Sequence, residues 1–218
     1  MRNRNTPIAL EGVPFLVPSL GVTLLLFVLA KSLPFLYYVG GFTTLVSLFI
    51  IFFFRNPRRS STAPENAVVA PADGVVIYLG PAMEEHLGAE MTKISIFMSV
   101  FSVHINRVPV SAKVLDSFYT AGKFLDVRDQ RATFENERSG LVLETAKGWK
   151  LVVVQVAGLI ARRIVCYAHK GDQLARGKRY GLIRFGSRLD VYLPTETAIK
   201  VTMGETTVAG ETVLGILP

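Results

Sequence analysis

The chain has 218 residues, a formal net charge of +7, and hydrophobic residues at half of its positions. This length suffices for one globular domain with an attached segment, and a basic protein of this kind favours nucleic acid or anionic lipid. The sequence contains no zinc-ligand spacing and no block of Lys and Arg, which argues against a metal centre and against a nucleic-acid partner. Its single cysteine, Cys166, excludes an internal disulfide and lies in an apolar run typical of an inert core thiol.

Two apolar runs open the chain, Val13 to Ala30 and Pro34 to Phe54, and together they predict a membrane anchor over residues 1–59. A spanning helix needs roughly 20 apolar residues. Positive charges lie outside both runs, at Arg2, Arg4, Arg55, Arg58 and Arg59. The positive-inside rule therefore predicts a helical hairpin whose two flanks are cytoplasmic. Pro14 and Pro18 weaken the first helix. A shallow re-entrant hairpin is the alternative, because hydropathy fixes the length of an apolar segment and not its depth in the bilayer.

The remaining residues, 60–218, predict a separate domain made mainly of β-strands. Residues 60–66 have the composition of a linker. Short β-branched runs follow, each bounded by Gly, Pro, Asp or Asn as strands usually are. These runs are Ala67–Ala70, Gly74–Leu79, Lys93–Met98, Ala112–Phe118, Gly140–Glu144, Lys150–Ala157 and Arg162–Ala168. Turns of helix are expected within residues 81–90 and 120–138.

One turn motif occurs twice in this region. Gly171-Asp172 is followed by Gly177, and Gly204-Glu205 is followed in the same way by Gly210. Glycines at such positions permit positive φ, and the spacing resembles the turns of biotinyl/lipoyl-like barrel-sandwich domains. The expected fold class is therefore mainly β (α+β), with a membrane helical hairpin followed by a barrel-sandwich-like domain. Val69 to Val76 fits the same strand-turn-strand pattern.

This repeat supports one hypothesis without catalysis, a membrane-anchored adaptor or carrier with a lipoyl-like β domain. A carrier needs an exposed lysine at a hairpin tip, usually between methionines, and the sequence has no such segment. An adaptor has no use for a reactive peptide bond.

Gly186-Ser187 is the candidate reactive bond, and it lies in a tight turn between two strand-like runs. The Ser187 hydroxyl can attack the Gly186 carbonyl, because glycine has no side chain to crowd the approach. Gly and Ser are common turn residues, so the pair alone indicates no reaction. Its setting resembles the phosphatidylserine decarboxylase family in its short, archaeal-like form. The resemblance rests on Arg184-Phe185-Gly186-Ser187-Arg188, Pro71-Ala72-Asp73-Gly74, Val103-His104-Ile105-Asn106-Arg107-Val108-Pro109 and Glu135-Asn136-Glu137-Arg138.

The resemblance implies a proenzyme that cuts itself between Gly186 and Ser187. The products would be a β chain of residues 1–186 and an α chain of residues 187–218, with Ser187 converted into a covalent pyruvoyl group. The implied reaction is decarboxylation of phosphatidylserine to phosphatidylethanolamine through a Schiff base between the substrate amine and that group. No metal and no diffusible cofactor is needed.

The resemblance also assigns roles to individual side chains. His104 is the base for self-cleavage and a proton donor in turnover, and Asp73 is the carboxylate that orients it. The long bacterial branch has two nearby histidines here, whereas this chain has Arg107 where a second would fall. Candidate groups for the lipid phosphodiester are Arg107, Lys123, Arg128 and Arg131. The Glu135-Asn136-Glu137-Arg138 segment is expected to be a solvated, charged loop.

The implied partners are phosphatidylserine and anionic membrane lipids. The β and α chains would form a heterodimer from one precursor, and that heterodimer could assemble further. The expected location is the cell membrane, with the catalytic domain on the cytoplasmic face.

Overall fold

The computed structural model describes residues 6–129, 131–159, 163–184 and 186–218, and the chain divides into two compact units between Arg58 and Arg59. The first unit is a helical hairpin. A short 3-10 turn, Leu10–Gly12, leads into helix α1, Val13–Leu29, and helix α2 covers Leu36–Phe53. Both helices are long and apolar enough to cross a membrane. This confirms the predicted hairpin of apolar helices.

Small and polar side chains take part in the contacts between the two helices. The hydroxyls of Ser19 and Ser47 lie 2.7 Å apart, and Ser47 is buried between the helices. Gly40 lets the Phe27 ring pack against the α2 backbone, since a Cβ at that position would lie 3.2 Å from the ring. Small residues and hydroxyl pairs are the means by which helices associate in lipid, where apolar burial gives little advantage. Pro18 lies inside α1, which continues through it.

The second unit begins at Arg59 and contains a short helix, α3 (Ala132–Glu135), and fourteen strands among the described residues. In chain order the strands are β1 Ala67–Val69, β2 Gly74–Glu84, β3 Ala89–Met98, β4 Ile105–Arg107, β5 Ala112–Thr120, β6 Arg138–Glu144, β7 Lys150–Val156, β8 Ile164–Cys166, β9 Gln173–Leu174, β10 Arg179–Ile183, β11 Ser187–Leu193, β12 Ala198–Ile199, β13 Thr206–Thr207 and β14 Val213–Ile216. The predicted run from Arg162 begins outside the described residues. Helix α3 lies within the segment where a turn of helix is expected.

A curled eight-stranded sheet, with strand order β13-β2-β3-β11-β7-β6-β5-β9, forms a half-barrel in this unit. Two three-stranded sheets accompany it, with orders β1-β14-β12 and β4-β10-β8. The predicted fold class, mainly β after a helical hairpin, is therefore confirmed. Because β11 and β7 lie at the centre of the large sheet, the start of β11 is held inside the domain.

Side chains alternate between the two faces of the large sheet, as the period of a strand requires. On one face Ile94, Ile96 and Met98 of β3 pack with Leu189 and other buried side chains into the main core. Residues between them face the opposite side, where a smaller cluster includes Val152, Val154 and Tyr192. Ser187 shares the face of Leu189, two residues further along the strand, and therefore points toward the main core.

The large sheet has an internal pseudo-symmetry: strands β13-β2-β3-β11, counted from one edge, correspond to β9-β5-β6-β7, counted from the other. The domain is therefore built from two equivalent halves. Two-residue strands, β13 and β9, form the two edges of the large sheet, and each pairs with the corresponding strand, β2 or β5. The three-stranded sheets correspond in the same way: Gly215 pairs with Val68 and Ile199, and Gly181 pairs with Asn106 and Cys166.

The repeated turn motif is the local cause of this symmetry. Gly171 and Gly204 have φ of 93° and 83°, and Gly177 and Gly210 have φ of 74° and 80°. The acidic side chain after each first glycine accepts a backbone hydrogen bond from the residue three positions earlier, at 2.9 Å in both copies. The motif that the sequence shows twice thus folds twice into the same turn.

The expectation of a helical turn within residues 81–90 is wrong. Strand β2 continues to Glu84 and pairs with β3 from Ala89 onward. The chain reverses at Gly88, which has φ of 59°. A glycine in this conformation closes a hairpin without steric cost. The polar composition of the segment reflects an exposed hairpin end.

The paired glycines give a stability prediction. Gly177→Ala should cost about 1–2 kcal/mol of unfolding free energy, because alanine is strained at positive φ but has open space there. Gly210→Ala should cost more, because its Cβ would also lie 3.0 Å from Cδ of Arg107. Denaturant unfolding of both variants checks this order. Equal losses would contradict the role given to the Arg107 contact.

Candidate functional site

The candidate reactive bond lies where the chain enters the central strand β11. Gly186 has φ of 62°, a left-handed conformation that other residues adopt only with strain. Ser187, the first residue of β11, is fully buried, and its Oγ lies 3.5 Å from Sδ of Met98. Thioether sulfur is a weak acceptor, so this contact holds the hydroxyl only loosely. Phe185, the residue before the glycine, lies outside the described residues.

The Gly186 carbonyl is closely approached from one side by the backbone. A Cβ built on Gly158, just after β7, would collide with the Gly186 carbonyl oxygen and would touch Cγ1 of Val127 at 3.0 Å. Only a glycine at position 158 therefore allows the two segments to come this close. This packing fixes the position of the Gly186 carbonyl.

A buried polar chain begins next to the Ser187 hydroxyl. Nδ2 of Asn106 lies 3.7 Å from the same Met98 sulfur, and Oδ1 of Asn106 accepts a hydrogen bond of 2.8 Å from Gln155 Nε2. Asn106 and Gln155 are both essentially inaccessible to solvent. The Oε1 atom of Gln155 accepts no hydrogen bond from the described residues. An acceptor left open in a chain of contacts that begins at Ser187 suits a donor brought by a ligand.

His104 lies in the segment that leads into β4, and it is also buried. Its Nδ1 lies 2.9 Å from the Ser102 carbonyl oxygen. If Nδ1–H donates to that carbonyl, a neutral His104 carries no proton on Nε2, which is then the nitrogen that can act as a base. The segment joins β3, which pairs with Ser187 through Met98, to β4, which carries Asn106. His104 thus belongs to the same end of the domain as Ser187.

The symmetry of the domain shows what is particular to this end. Asn106 and Val68 pair with equivalent glycines, Gly181 and Gly215. One half therefore has a buried amide where the other has a plain apolar residue. Burying a polar group costs stability unless it is hydrogen-bonded, so this difference singles out Asn106 as a candidate site residue. Sequence reasoning quoted Asn106 within a motif but gave it no role, and it missed Gln155 altogether.

Asp73 has two hydrogen-bond partners in the uncut chain. Its Oδ1 accepts 2.7 Å from the backbone N–H of Ala209, and its Oδ2 accepts 3.0 Å from Arg59. In the other half of the domain, Ser111 Oγ accepts the equivalent N–H, that of Arg176, at 3.1 Å. The bond to Ala209 is therefore a turn contact that a serine makes equally well. What Asp73 adds is a negative charge.

The four cations predicted for the lipid phosphate lie in two different environments. Arg107 is buried, donates 2.9 Å to the Gly177 carbonyl, and has its pKa lowered by burial and by the charge of Arg59. The other three are exposed, and each is paired with an acid. These pairs are Lys123 with Glu135 at 2.9 Å, Arg128 with Asp126 at 2.6 Å, and Arg131 with Asp129 at 2.7 Å.

The Glu135-Asn136-Glu137-Arg138 segment is not simply a solvated loop, because Asn136 is fully buried. Its Nδ2 donates to the carbonyls of Leu125 and Ala157 at 2.9 and 2.8 Å, and its Oδ1 accepts from Leu125 N–H at 2.9 Å. Asn136 thereby fastens the segment before α3 to the end of β7, next to Gly158. A charged sequence around one Asn gave no signal of this burial.

Comparison with known proteins shows that the chain is a carboxy-lyase. Residues 46–215, which include the C-terminal part of α2 and nearly all of the β unit, match the family model described as phosphatidylserine decarboxylase. The phosphatidylserine decarboxylase proenzymes of Geobacter metallireducens and Geobacter sulfurreducens are each 70% identical to it over the full length of both chains. That of Syntrophotalea carbinolica is 53% identical, again over both full lengths. The chain belongs to the phosphatidylserine decarboxylase family, and the non-enzymatic adaptor is not favoured.

The comparison of Asp73 with Ser111 gives a direct test of the Asp73 charge. Asp73→Ser should keep the bond to Ala209 N–H and the melting temperature, yet slow self-cleavage by about 10-fold or more if the carboxylate supports His104. Intact mass after timed incubation measures the cut fraction. Ser111→Ala is the control, since it removes the equivalent turn contact and should leave the cut unaffected. Cleavage of Asp73→Ser at the parent rate would reduce Asp73 to a turn residue.

Proposed function

We propose that this protein is a membrane-anchored proenzyme that cuts itself between Gly186 and Ser187 and then decarboxylates phosphatidylserine with a pyruvoyl group formed from Ser187. The observation that carries the proposal is the left-handed Gly186 followed by the fully buried Ser187 at the start of the central strand. A plain turn serine would be expected at the surface, where it can bond to water.

The surroundings of residue 187 fit such a group. Family members are decarboxylase proenzymes by name, and a serine-derived carbonyl group needs a dry site with a few polar atoms. Asn106 and Gln155 supply buried polar atoms, and the open Oε1 of Gln155 can accept a hydrogen bond from the substrate's amine. When present, the group supplies the electron sink for the bond that breaks as carbon dioxide leaves.

Ser187, His104 and Asp73 each have one role in the proposed self-cleavage. Ser187 Oγ attacks the Gly186 carbonyl carbon, the Gly186–Ser187 C–N bond breaks, and an ester forms through the N-to-O shift. His104 takes the hydroxyl proton and returns one to the departing nitrogen. Loss of the Cα proton of residue 187 expels Gly186 as a carboxylate and leaves dehydroalanine. Addition of water then releases ammonia and leaves the new carbonyl. Asp73 supports the charged form of His104, which requires an exchange of one of its present partners.

The anchor matches the substrate, because a lipid with two acyl chains stays in the bilayer. A catalytic domain of residues 60–218 tethered by the helical hairpin meets its substrate at the membrane surface, which confines the search to that surface. The net charge of +7 favours a surface that contains anionic lipid. Arg107, Lys123, Arg128 and Arg131 are the proposed phosphate-binding groups. The cytoplasmic face of the cell membrane is the proposed location.

Intact mass of the purified full-length protein is the deciding measurement, followed by assay on phosphatidylserine in mixed micelles. The expected result is a β chain that ends at Gly186, a 32-residue α chain that begins with a pyruvoyl group, and release of carbon dioxide. A single mass near 24.0 kDa from folded protein would overturn the proposal.

A further inference from the structure

Cutting the chain before Ser187 creates a problem of position, because residue 187 becomes a chain end. Chain ends fray unless something ties them down. In the large sheet Ser187 pairs with Met98 of β3, whereas the pairing of β11 with β7 begins one residue later, at Arg188 and Val156. Arg188 is thus the first residue after the cut that has strand partners on both sides.

The Arg188 side chain is held more firmly than strand pairing requires. It is buried on the face of the sheet opposite to Ser187, and its Nε and Nη2 donate 2.8 and 2.9 Å to the two oxygens of Asp190. Nη1 donates 2.7 Å to the Val127 carbonyl, and Nη2 also donates 2.8 Å to Thr133 Oγ1. A two-pronged Arg–carboxylate pair with further bonds fixes a guanidinium in one orientation.

A second cation shares the same carboxylate. Lys93 Nζ lies 3.2 Å from Asp190 Oδ2 and 3.1 Å from Thr133 Oγ1. Burial lowers the pKa of the Lys93 ammonium; it tends to raise the pKa of Asp190, but the charges of Arg188 and Lys93 outweigh that and lower it. Two cations and one carboxylate in a buried site are a poor way to gain stability, since apolar replacements of buried ion pairs are often neutral or stabilising.

The partners of Arg188 belong to the segment that Asn136 fastens in place. Val127 and Thr133 lie between Leu125 and Asn136, and Asn136 bonds to Leu125 on one side and to Ala157 on the other. The guanidinium therefore docks on a segment that is tied to the backbone beside Gly158. That backbone is the one that packs on the Gly186 carbonyl.

We propose that Arg188 is a positioning residue that holds residue 187 in the site once the bond to Gly186 is gone. Before the cut, the intact peptide and the Arg188 contacts both restrain residue 187. After the cut, Arg188 is its only covalent neighbour. The role rests on the proposed function, and it gives the buried Asn136 of the family segment a purpose as the support of the Arg188 docking surface.

Two variants of matched size test this role in the full-length protein. Arg188→Met and Lys93→Met each remove one buried cation, and each leave one cation paired with Asp190. Arg188→Met should still be cut, but its kcat on phosphatidylserine micelles should fall at least about 10-fold with KM within about 3-fold. Lys93→Met should keep kcat within about 3-fold of the parent. Equal kcat values for the two variants would overturn the proposal.

Hydrogen exchange provides a readout that does not depend on the folding of either Met variant. In the mature parent protein, the amides of residues 188–190 should be protected to within about 10-fold of those in uncut Ser187→Ala protein. Loss of their protection on cleavage would refute the proposed role of Arg188, even if neither Met variant folds. Failure of the parent protein to be cut or to release carbon dioxide would be a failure of the proposed function instead.

Discussion

Ser187→Ala is expected to leave the chain uncut at 24.0 kDa and without decarboxylase activity. The variant removes the nucleophile and the only source of the new carbonyl, so loss of both activities should be complete rather than partial. Little else changes, because the hydrogen-bonding contact that the Ser187 hydroxyl makes within the described part of the chain, with the Met98 sulfur, is weak. We therefore expect the melting temperature to stay within a few degrees of the parent. Intact mass and carbon dioxide release measure the two losses.

Ser95→Ala is the matched control for this experiment. Ser95 is also buried, lies on the neighbouring strand β3, and faces away from the main core. It should be cut as the parent is. If Ser187→Ala protein is processed normally, the assigned cleavage site is wrong, and the roles of His104 and Asp73 that depend on it are withdrawn as well.

His104→Ala should slow self-cleavage by about 100-fold or more. Without the imidazole, no positioned base accepts the proton of the Ser187 hydroxyl as it attacks. A time course of intact mass at constant pH measures the rate. Added imidazole should restore part of it, since the substitution leaves a cavity where the ring stood. A purely structural role for His104 would not respond to imidazole.

His169→Ala is the control, because His169 lies on an exposed turn of the repeated motif. Its cleavage rate should equal that of the parent. If His104→Ala protein is cut at the parent rate but does not decarboxylate phosphatidylserine, then His104 acts only in turnover. The base for self-cleavage would then be sought elsewhere in the domain.

Much of the architecture could be predicted because it is encoded by local patterns. Apolar runs of membrane length predict the hairpin, and β-branched runs between turn residues correspond to seven of the fourteen described strands. The repeated Gly-Asp/Glu turn needs glycine at positive φ, so both copies can be recognised in the amino-acid sequence. Residues 81–90 misled because polar side chains at an exposed hairpin end lack the alternation that identifies a strand.

The parts of the site that escaped prediction depend on register between distant segments. Gln155 meets Asn106 only because β7 and β4 approach the same end of the domain, which no spacing along the chain records. Arg188 was part of the motif around Gly186-Ser187 and had no role of its own, whereas strand alternation places its side chain on the same face as Asp190. The equivalence of Asp73 and Ser111 was hidden because the two turns conserve a hydrogen bond and not a residue type.

The placement of strands on either side of Gly186 has a consequence for how the two chains would part. The α chain would contain β11 to β14; β11 lies between β3 and β7, β13 pairs with β2, and β14 pairs with β1. Strands β11, β13 and β14 thus each pair with strands of the β chain. Subunit exchange between cut molecules would require every one of these ladders to open at once. Dissociation of the cut enzyme and its unfolding would therefore be a single event, and separately made fragments would regain activity only by folding together.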